Sequence, residues 1–461
     1  MNKLVILTIL SFILTGCASR SAKVSTQVSK GIEDRTGYTL NPNAKLGAFE
    51  IPPEIAYTDG LSEEEAVAIA LWNNAAFQAD LTALGFARAD LIEAGQLRNP
   101  MLTLLLPWGP KQMEATINLP VEVFWQRPRR VAAAKIDFER VGESLVQTGL
   151  NLVRDVRLAH TELVLANERA RIATEAVRQR NEIAQIVHAK FRAGEISELE
   201  TSAARLDAEQ ASEQAARFTN EASLTRERLR FLLGTPNDEA SADLTASLTL
   251  SPVVANGSTS AAVVVPASSF QQSRVAAVND LVKQALVARP DLRAAEMAIE
   301  AAGKRAKWER SKIFSLSAVL DANAKGTEGF EAGPGIVAEL PIFNRNKGGI
   351  TRAEAEIERA ARQYVATRQR IALEVREAYR QLLAARQSLD SWRIQILPRI
   401  EEDIRISERA YKAGDVAYLF VLETSRRLTD ARLSEADASA AILRATANLE
   451  RAVGRRIGEK P

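Results

Sequence analysis

The chain has 461 residues, 46% hydrophobic, 26% charged and only 5% aromatic, which is a folded and helix-rich composition and excludes a disordered one. Lys and Arg number 60 against 58 Asp and Glu, and a net charge of +2 gives no electrostatic footing for nucleic acid. A single cysteine, Cys17, excludes an intramolecular disulfide. The N-terminus carries Lys3, the apolar run Leu4 to Leu14, and the small residues before Cys17. That order predicts a secretory signal peptide over residues 1–16, too short to span a bilayer as a helix. No other segment is a continuous apolar run of transmembrane length, so any membrane span must be a β-barrel.

Leu14-Thr15-Gly16-Cys17 resembles a bacterial lipobox. The resemblance implies cleavage before Cys17 and lipid on its sulfur and new amine. With Ala18 next, it also implies sorting to the outer membrane. The alternative is an ordinary signal peptide with an incidental cysteine. Residues 17–60 read as a polar leader with scattered prolines, an extended strap or a mobile segment.

From residue 61 the chain is expected to run twice through one plan. Residues 61–234 form the first repeat, 235–273 a Ser/Thr/Ala/Pro-rich linker, and 274–456 the second repeat. The opening helices are expected at Ser62 to about Leu97, with a Ser62/Glu65 capping box, and at about Val275 to Lys312. Strand pairs follow at about 101–124 and 313–343, turning at Pro107-Trp108-Gly109-Pro110 and Gly326-Thr327-Glu328-Gly329. Long helices come next. A proline-free stretch from about Arg129 to Arg192 predicts one helix of roughly 95 Å. Ile371, Val375, Ala378, Leu382, Ala385, Leu389, Trp392 and Ile396 recur at 4-3 spacing, which predicts an apolar seam against a neighbouring helix. Leu145, Leu152, Val156, Ala159, Leu163, Ala166, Ala173 and Val177 give the same frame in the first half, and Ile442, Ala445, Leu449 and Ala452 near the end. Pro398 is expected to kink its helix.

The two halves echo one another at an offset of about 220 residues. Phe191-Arg192-Ala193-Gly194-Glu195 matches Tyr411-Lys412-Ala413-Gly414-Asp415. Leu119-Pro120 matches Leu340-Pro341, and Leu233-Gly234 matches Val453-Gly454. An offset this large indicates duplication of a domain half, not a short solenoid repeat.

Those hairpin tips, the strand exits at Pro120 and Pro341, Arg289-Pro290-Asp291-Leu292 and the Leu-Gly closure together resemble the TolC-like outer-membrane factor family. The resemblance covers Ser62 to Gly454. The Gln126-Arg127-Pro128-Arg129-Arg130 stretch is similar to its cation- and metal-efflux branch. It implies a mainly α fold with a small β part: long antiparallel coiled-coil hairpins, and four strands given to a trimeric twelve-stranded barrel. It implies a passive outer-membrane exit duct of a tripartite efflux system, not an enzyme. Its implied partners are two further copies of itself, a periplasmic adaptor (membrane fusion) protein, an RND-type inner-membrane pump, and outer-membrane lipid. No nucleic acid and no cofactor beyond the lipid on Cys17 are expected. Four strands in one chain cannot close a barrel without unpaired edges, which agrees with an oligomer. The first strand is shorter than the roughly 9–11 residues a span needs.

The family's acidic periplasmic gate maps by position onto Phe420 and Glu423. One ring of Glu423 carboxylates beside a Phe420 constriction is the reading this implies. The alternative is a solvated Glu423 and a Phe420 packed in a seam. Gly194, Glu195, Gly414 and Asp415 mark the hairpin tips, where an adaptor would dock and where glycine suits the chain reversal. Trp108, Trp125, Phe330 and Phe343 flank the strands, as an aromatic girdle or as isolated core aromatics. His160 and His188 stand alone on the long helix, and the chain has neither a metal-ligand cluster nor a phosphate loop nor a nucleophile elbow. A lipid-anchored periplasmic adaptor and a structural coiled-coil lipoprotein are the rival readings. The first would carry one hairpin, not two, and the second leaves the strands unexplained.

Overall fold

A computed structural model describes residues 22–41, 45, 47–53, 55, 60–106, 108, 113–235, 270–324 and 329–457. The signal peptide, Cys17, nearly all of the linker and most of both strand turns lie outside the described residues. The elements are α1 (Ala22–Thr36), α2 (Glu63–Asn73), α3 (Ala75–Leu81), α4 (Ala83–Gly95), β1 (Met101–Leu105), β2 (Met113–Pro120), α5 (Val123–Arg192) and α6 (Glu198–Leu233). They continue as α7 (Phe270–Ala288), α8 (Pro290–Ser311), β3 (Ser315–Ala324), β4 (Phe330–Glu339), α9 (Lys347–Asp390), a π-helical turn (Ser391–Ile396), α10 (Leu397–Ala413) and α11 (Tyr418–Val453). The fold is mainly helical, and its helices–strand pair–helical hairpin order occurs twice. Among the described residues no helix is long and apolar enough to cross a membrane.

The chain forms two units: Met1–Gly31, Ala79–Gln147 and Arg289–Arg370 make the first, and Ile32–Gln78, Thr148–Ala288 and Ile371–Pro461 the second. The first unit holds one antiparallel sheet in the order β1-β2-β3-β4. β1 has five residues and β2 eight, while β3 and β4 have ten each. The second strand stops at Pro120 instead of reaching Phe124, because proline has no N–H for the ladder. The chain then pivots on Leu316: Val121 N and Glu122 N both donate to its carbonyl, and the buried Glu122 carboxylate accepts its N–H. α5 therefore starts at Val123, six residues before the expected start, and carries Pro128 near its N-terminal end. β4 likewise ends at Glu339, before Leu340-Pro341, and not at Phe343.

The second unit is built on the predicted seams. Ile371, Val375, Ala378, Leu382 and Ala385 are buried, as are Leu152, Val156, Leu163, Ala166 and Ala173 and, in the first unit, Leu145, whereas Ala159, Val177 and Ile442 of the expected seams are only half-buried. The α9 seam fades from Leu389 onward, where the ladder widens into the π-helical turn ahead of Pro398. The helix runs on without a break, with α-helical backbone at Asp390 and Leu397 on either side of the π turn, and the widened ladder accommodates Pro398, which has no N–H to give.

Three further expectations are corrected. The helix over 62–97 is three helices: it breaks at Asn74, whose side chain accepts from Phe77 N and donates to the Leu232 carbonyl, and again at Thr82. The helix over 275–312 starts at Phe270 and divides at Arg289, since the residue before a proline is pushed out of the α region. The N-terminal leader contains α1, a 15-residue helix with Val28 and Ile32 buried one turn apart, not only an extended strap. The Ser62/Glu65 capping box is present with both its bonds.

Candidate functional site

The strands separate their side chains cleanly by face. The cross-strand pairs Leu102–Ile117, Leu104–Ala115, Ile117–Leu320 and Leu320–Pro334 put apolar groups together. Leu119, Ala318, Ile336, Leu316 and Ala338 continue that face, on which every residue is apolar. The opposite face carries Thr103, Glu114, Thr116, Asn118, Asp321, Asn323 and Glu331 among its members. There Thr116 Oγ1 donates to Asp321 at 2.8 Å, and Asn323 donates to the other Asp321 oxygen at 2.8 Å. One oily and one wet face, in a sheet with two open edges among the described residues, is the pattern of a transmembrane barrel wall.

The hairpin turns lie at the far ends of the long helices. Gly194 (φ +78°) and Gly414 (φ +84°) both occupy the left-handed region, and an added Cβ would meet nothing at either. Gly414 N–H bonds to the Ala410 and Tyr411 carbonyls, closing α10. Glu195 N and Asp415 N make matching bonds to the Lys190 and Ala410 carbonyls. Both acidic side chains are exposed. The two turns differ on their far sides. Ser197 and Glu200 form a capping box at α6, whereas α11 starts at Ala417 with no side-chain cap. Val187, Ala204, Ile404, Tyr418, Val421 and Leu422 pack the two hairpins together, with Lys190 Nζ 4.5 Å above the Tyr411 ring.

Phe420 is 62% exposed and does not pack into a seam of its own subunit. Glu423 is exposed too, one turn along α11, and pairs with Arg427 at 3.0 Å. The two predicted gate residues therefore project from the same helix close to the Gly414 turn. Pro120 and Pro341 stand at the ends of β2 and β4. Of the aromatics, Trp125 packs on Phe314 with ring centroids 6.5 Å apart, and Trp108, Phe330 and Phe343 are exposed. His160 is buried with Nε2 3.1 Å from the Leu61 carbonyl, and His188 is exposed on its helix.

A polar cluster absent from the sequence reading lies beneath the tips. Asp207 of α6 is 1% exposed. Arg426 of α11 donates to its Oδ1 from Nε at 2.9 Å and also reaches Gln210 at 3.3 Å. Arg180 of α5, itself buried, pairs with Oδ2 at 3.4 Å. One carboxylate thus joins both helices of the first hairpin to the second. Burial pushes the nearby Tyr418 hydroxyl pKa up to about 12, with the Asp207 charge adding to the effect. The sequence held one signal for this cluster: Asp207 interrupts the Ala204, Ala208 and Ala211 face that buries α6.

The family model for "Outer membrane efflux protein" matches residues 107–235 and 281–455, well over half of the chain. The cobalt-zinc-cadmium resistance protein CzcC of Cupriavidus metallidurans is 27% identical over 403 residues, covering 86% of this chain and 90% of that one. The pyoverdine export outer membrane protein OpmQ of Pseudomonas putida is 25% identical over 360 residues, covering 74% of this chain and 70% of that one. Among solved structures, CusC superposes with a TM-score of 0.70 at 19% identity, covering 91% of this chain and 99% of that one. The two-faced sheet, the paired hairpins and these matches agree, and the chain belongs to the outer membrane efflux protein family.

Proposed function

We propose that the chain is one of three identical subunits of an outer-membrane efflux duct, a passive conduit from the periplasm to the outside. The observation that carries this is the sheet: one face wholly apolar, the other holding all of the sheet's charged and hydrogen-bonding side chains, and neither edge paired among the described residues. A lipid-embedded sheet cannot leave its edges open, and three such sheets give the twelve strands that close the wall. The hairpin tips at Gly194, Glu195, Gly414 and Asp415 are the docking points for a periplasmic adaptor, which links the duct to an inner-membrane pump of the RND type. Cys17 carries the lipid anchor in the outer membrane. Similarity to CzcC across most of the chain favours metal cations as cargo.

The periplasmic entrance is controlled at two levels. Phe420 and Glu423 face the pore as a constriction and a ring of three carboxylates. Asp207 holds the two hairpins together behind them through Arg180 and Arg426. Size in mild detergent tests the assembly, and a species of three copies is expected. Glu423→Gln is expected to lower the cation-over-anion preference of single channels, and an unchanged preference removes Glu423 from the gate. Cys17→Ser is expected to abolish palmitate incorporation, and persistent labelling would end the anchor assignment.

A further inference from the structure

The two ends of the sheet differ sharply in charge. At the helix end, residues 95–100, 120–130, 307–316 and 339–354 carry ten Lys or Arg against four Asp or Glu. At the turn end, residues 105–114 and 321–331 carry two against four. A whole chain of net charge +2 thus concentrates its excess of cations beside the strand-to-helix junctions.

These four segments form one collar. Gln126 Nε2 donates to the Ser311 carbonyl at 3.4 Å, and Trp125 stacks on Phe314. Glu122 accepts from Leu316 N, and Asn346 Nδ2 donates to the Glu309 carbonyl at 2.8 Å. Arg310 pairs with Glu354 at 2.9 Å.

Most of the collar's acids are already engaged. Glu122 is buried, Glu309 holds Lys312 and Asn346, and Glu354 holds Arg310. Some cations serve the fold: Arg127 and Arg130 donate to the carbonyls of Gly95, Ala94 and Gln96 and so cap the C-terminal end of α4. Arg129, Lys347 and Arg352 are different. All three are exposed, and none has a carboxylate within 4 Å among the described residues. Arg345 is exposed as well, and among the described residues it reaches the Pro341 carbonyl and no carboxylate.

The surface beside them is apolar. Phe124 and Ile342 are exposed, Phe343 is 99% exposed, and the Lys312 ammonium lies 3.7 Å from the Trp308 ring centre. Ring faces and unpaired cations at the rim of an apolar sheet match a lipid interface, with tails against the sheet and phosphates against the cations. A zwitterionic headgroup also carries a phosphate, but its own ammonium neutralises it, whereas an anionic headgroup leaves a net negative charge for these cations.

We propose that this collar docks the headgroups of anionic phospholipids in the leaflet at the helix end of the sheet, with Arg129, Arg345 and Lys347 as principal phosphate contacts. The inference rests on the lipid-embedded sheet of the proposed function. The sign of the collar adds a preference for anionic over zwitterionic lipid that a barrel alone does not require.

The test uses the full-length protein, extracted in mild detergent and supplied with equal phosphatidylglycerol and phosphatidylcholine. Lipid retained after gel filtration is quantified by mass spectrometry. Phosphatidylglycerol is expected to be enriched by roughly fivefold or more, about the effect of one basic charge near an anionic surface, and raised salt should erode the enrichment. The triple variant Arg129→Gln/Arg345→Gln/Lys347→Gln is expected to bring the ratio close to one. Arg129→Lys/Arg345→Lys and the distant Lys283→Gln should each keep it. Equal retention of the two lipids by the unaltered protein overturns the proposal, as it would if a second copy of the chain covered the collar. Enrichment unchanged in the triple variant overturns it too. Conductance in pure phosphatidylcholine bilayers reads the duct separately, so a conducting protein without lipid preference refutes the collar alone.

Discussion

Asp207 is the residue on which the tip region depends most. A buried carboxylate costs several kcal/mol to desolvate and is tolerated because Arg426 hydrogen-bonds one of its oxygens and the Arg180 charge lies 3.4 Å from the other, without hydrogen-bond alignment. Removing it leaves Arg180 buried and unpaired. Asp207→Ala is therefore expected to destabilise the folded subunit by about 3–5 kcal/mol in denaturant melts. Asp207→Ala/Arg180→Met should recover a large part of that loss, because the stranded charge goes with it. A double variant as unstable as the single one would show that packing, not charge, dominates. Tyr418 gives a pH signature. Its folded pKa lies above the ordinary tyrosine value near 10, so its contribution is complete below about pH 10 and is lost as pH rises through about 12. Alkaline titration should loosen the tips in that window, and Tyr418→Phe should remove this component. Glycines separate just as plainly. Gly194 and Gly234 are both left-handed, but a Cβ at Gly194 meets open space, whereas at Gly234 it would overlap the Asn73 carbonyl. Gly194→Ala should cost about 1–2 kcal/mol, and Gly234→Ala distinctly more. Equal losses in thermal melts would contradict the close approach.

At the scale of elements, what could be read in the sequence was what had a period, and breakers only in part: Pro290 divides the helix expected over 275–312, and that division was not read from it. The 4-3 spacing from Ile371 to Ala385 gave a seam that is buried throughout. The Ala-Gly-acid motifs gave turns at Gly194 and Gly414, and the strand pair expected from residue 313 gave β3 to within two residues at its start. Breaks made by side chains instead of Pro or Gly stayed hidden. Asn74 ends α2 because its amide caps α3 and ties to the Leu232 carbonyl; the cap is a local signal that went unread, and the tie to Leu232 has none. α1 was obscured by Ser, Thr and Lys around its two buried positions. The entry of α5 was misplaced because Pro128 looked like a boundary. Pro128 is the sixth residue of α5, beyond the first turn where a proline costs no bond, so the helix runs through it and forgoes one ladder bond there. The gate positions Phe420 and Glu423 came from family position alone. Asp207 was missed because one acid in an Ala-rich helix looks like solvated surface until its three-dimensional partners are known.

At the scale of the whole molecule, the account joins a wall that must be closed by other copies to hairpins that must open. The same chain encodes both twice, so three copies supply six hairpins and twelve strands. Loss of trimers should thus remove conduction altogether, whereas loss of the Asp207 links should raise it. The measurement that tests this most directly is planar-bilayer conductance of the purified, detergent-extracted protein, with its native size determined in the same preparation. The account predicts a three-copy species giving small, cation-preferring steps that grow in Asp207→Ala. A monomeric species without conductance would contradict the duct itself and favour a structural or adaptor lipoprotein.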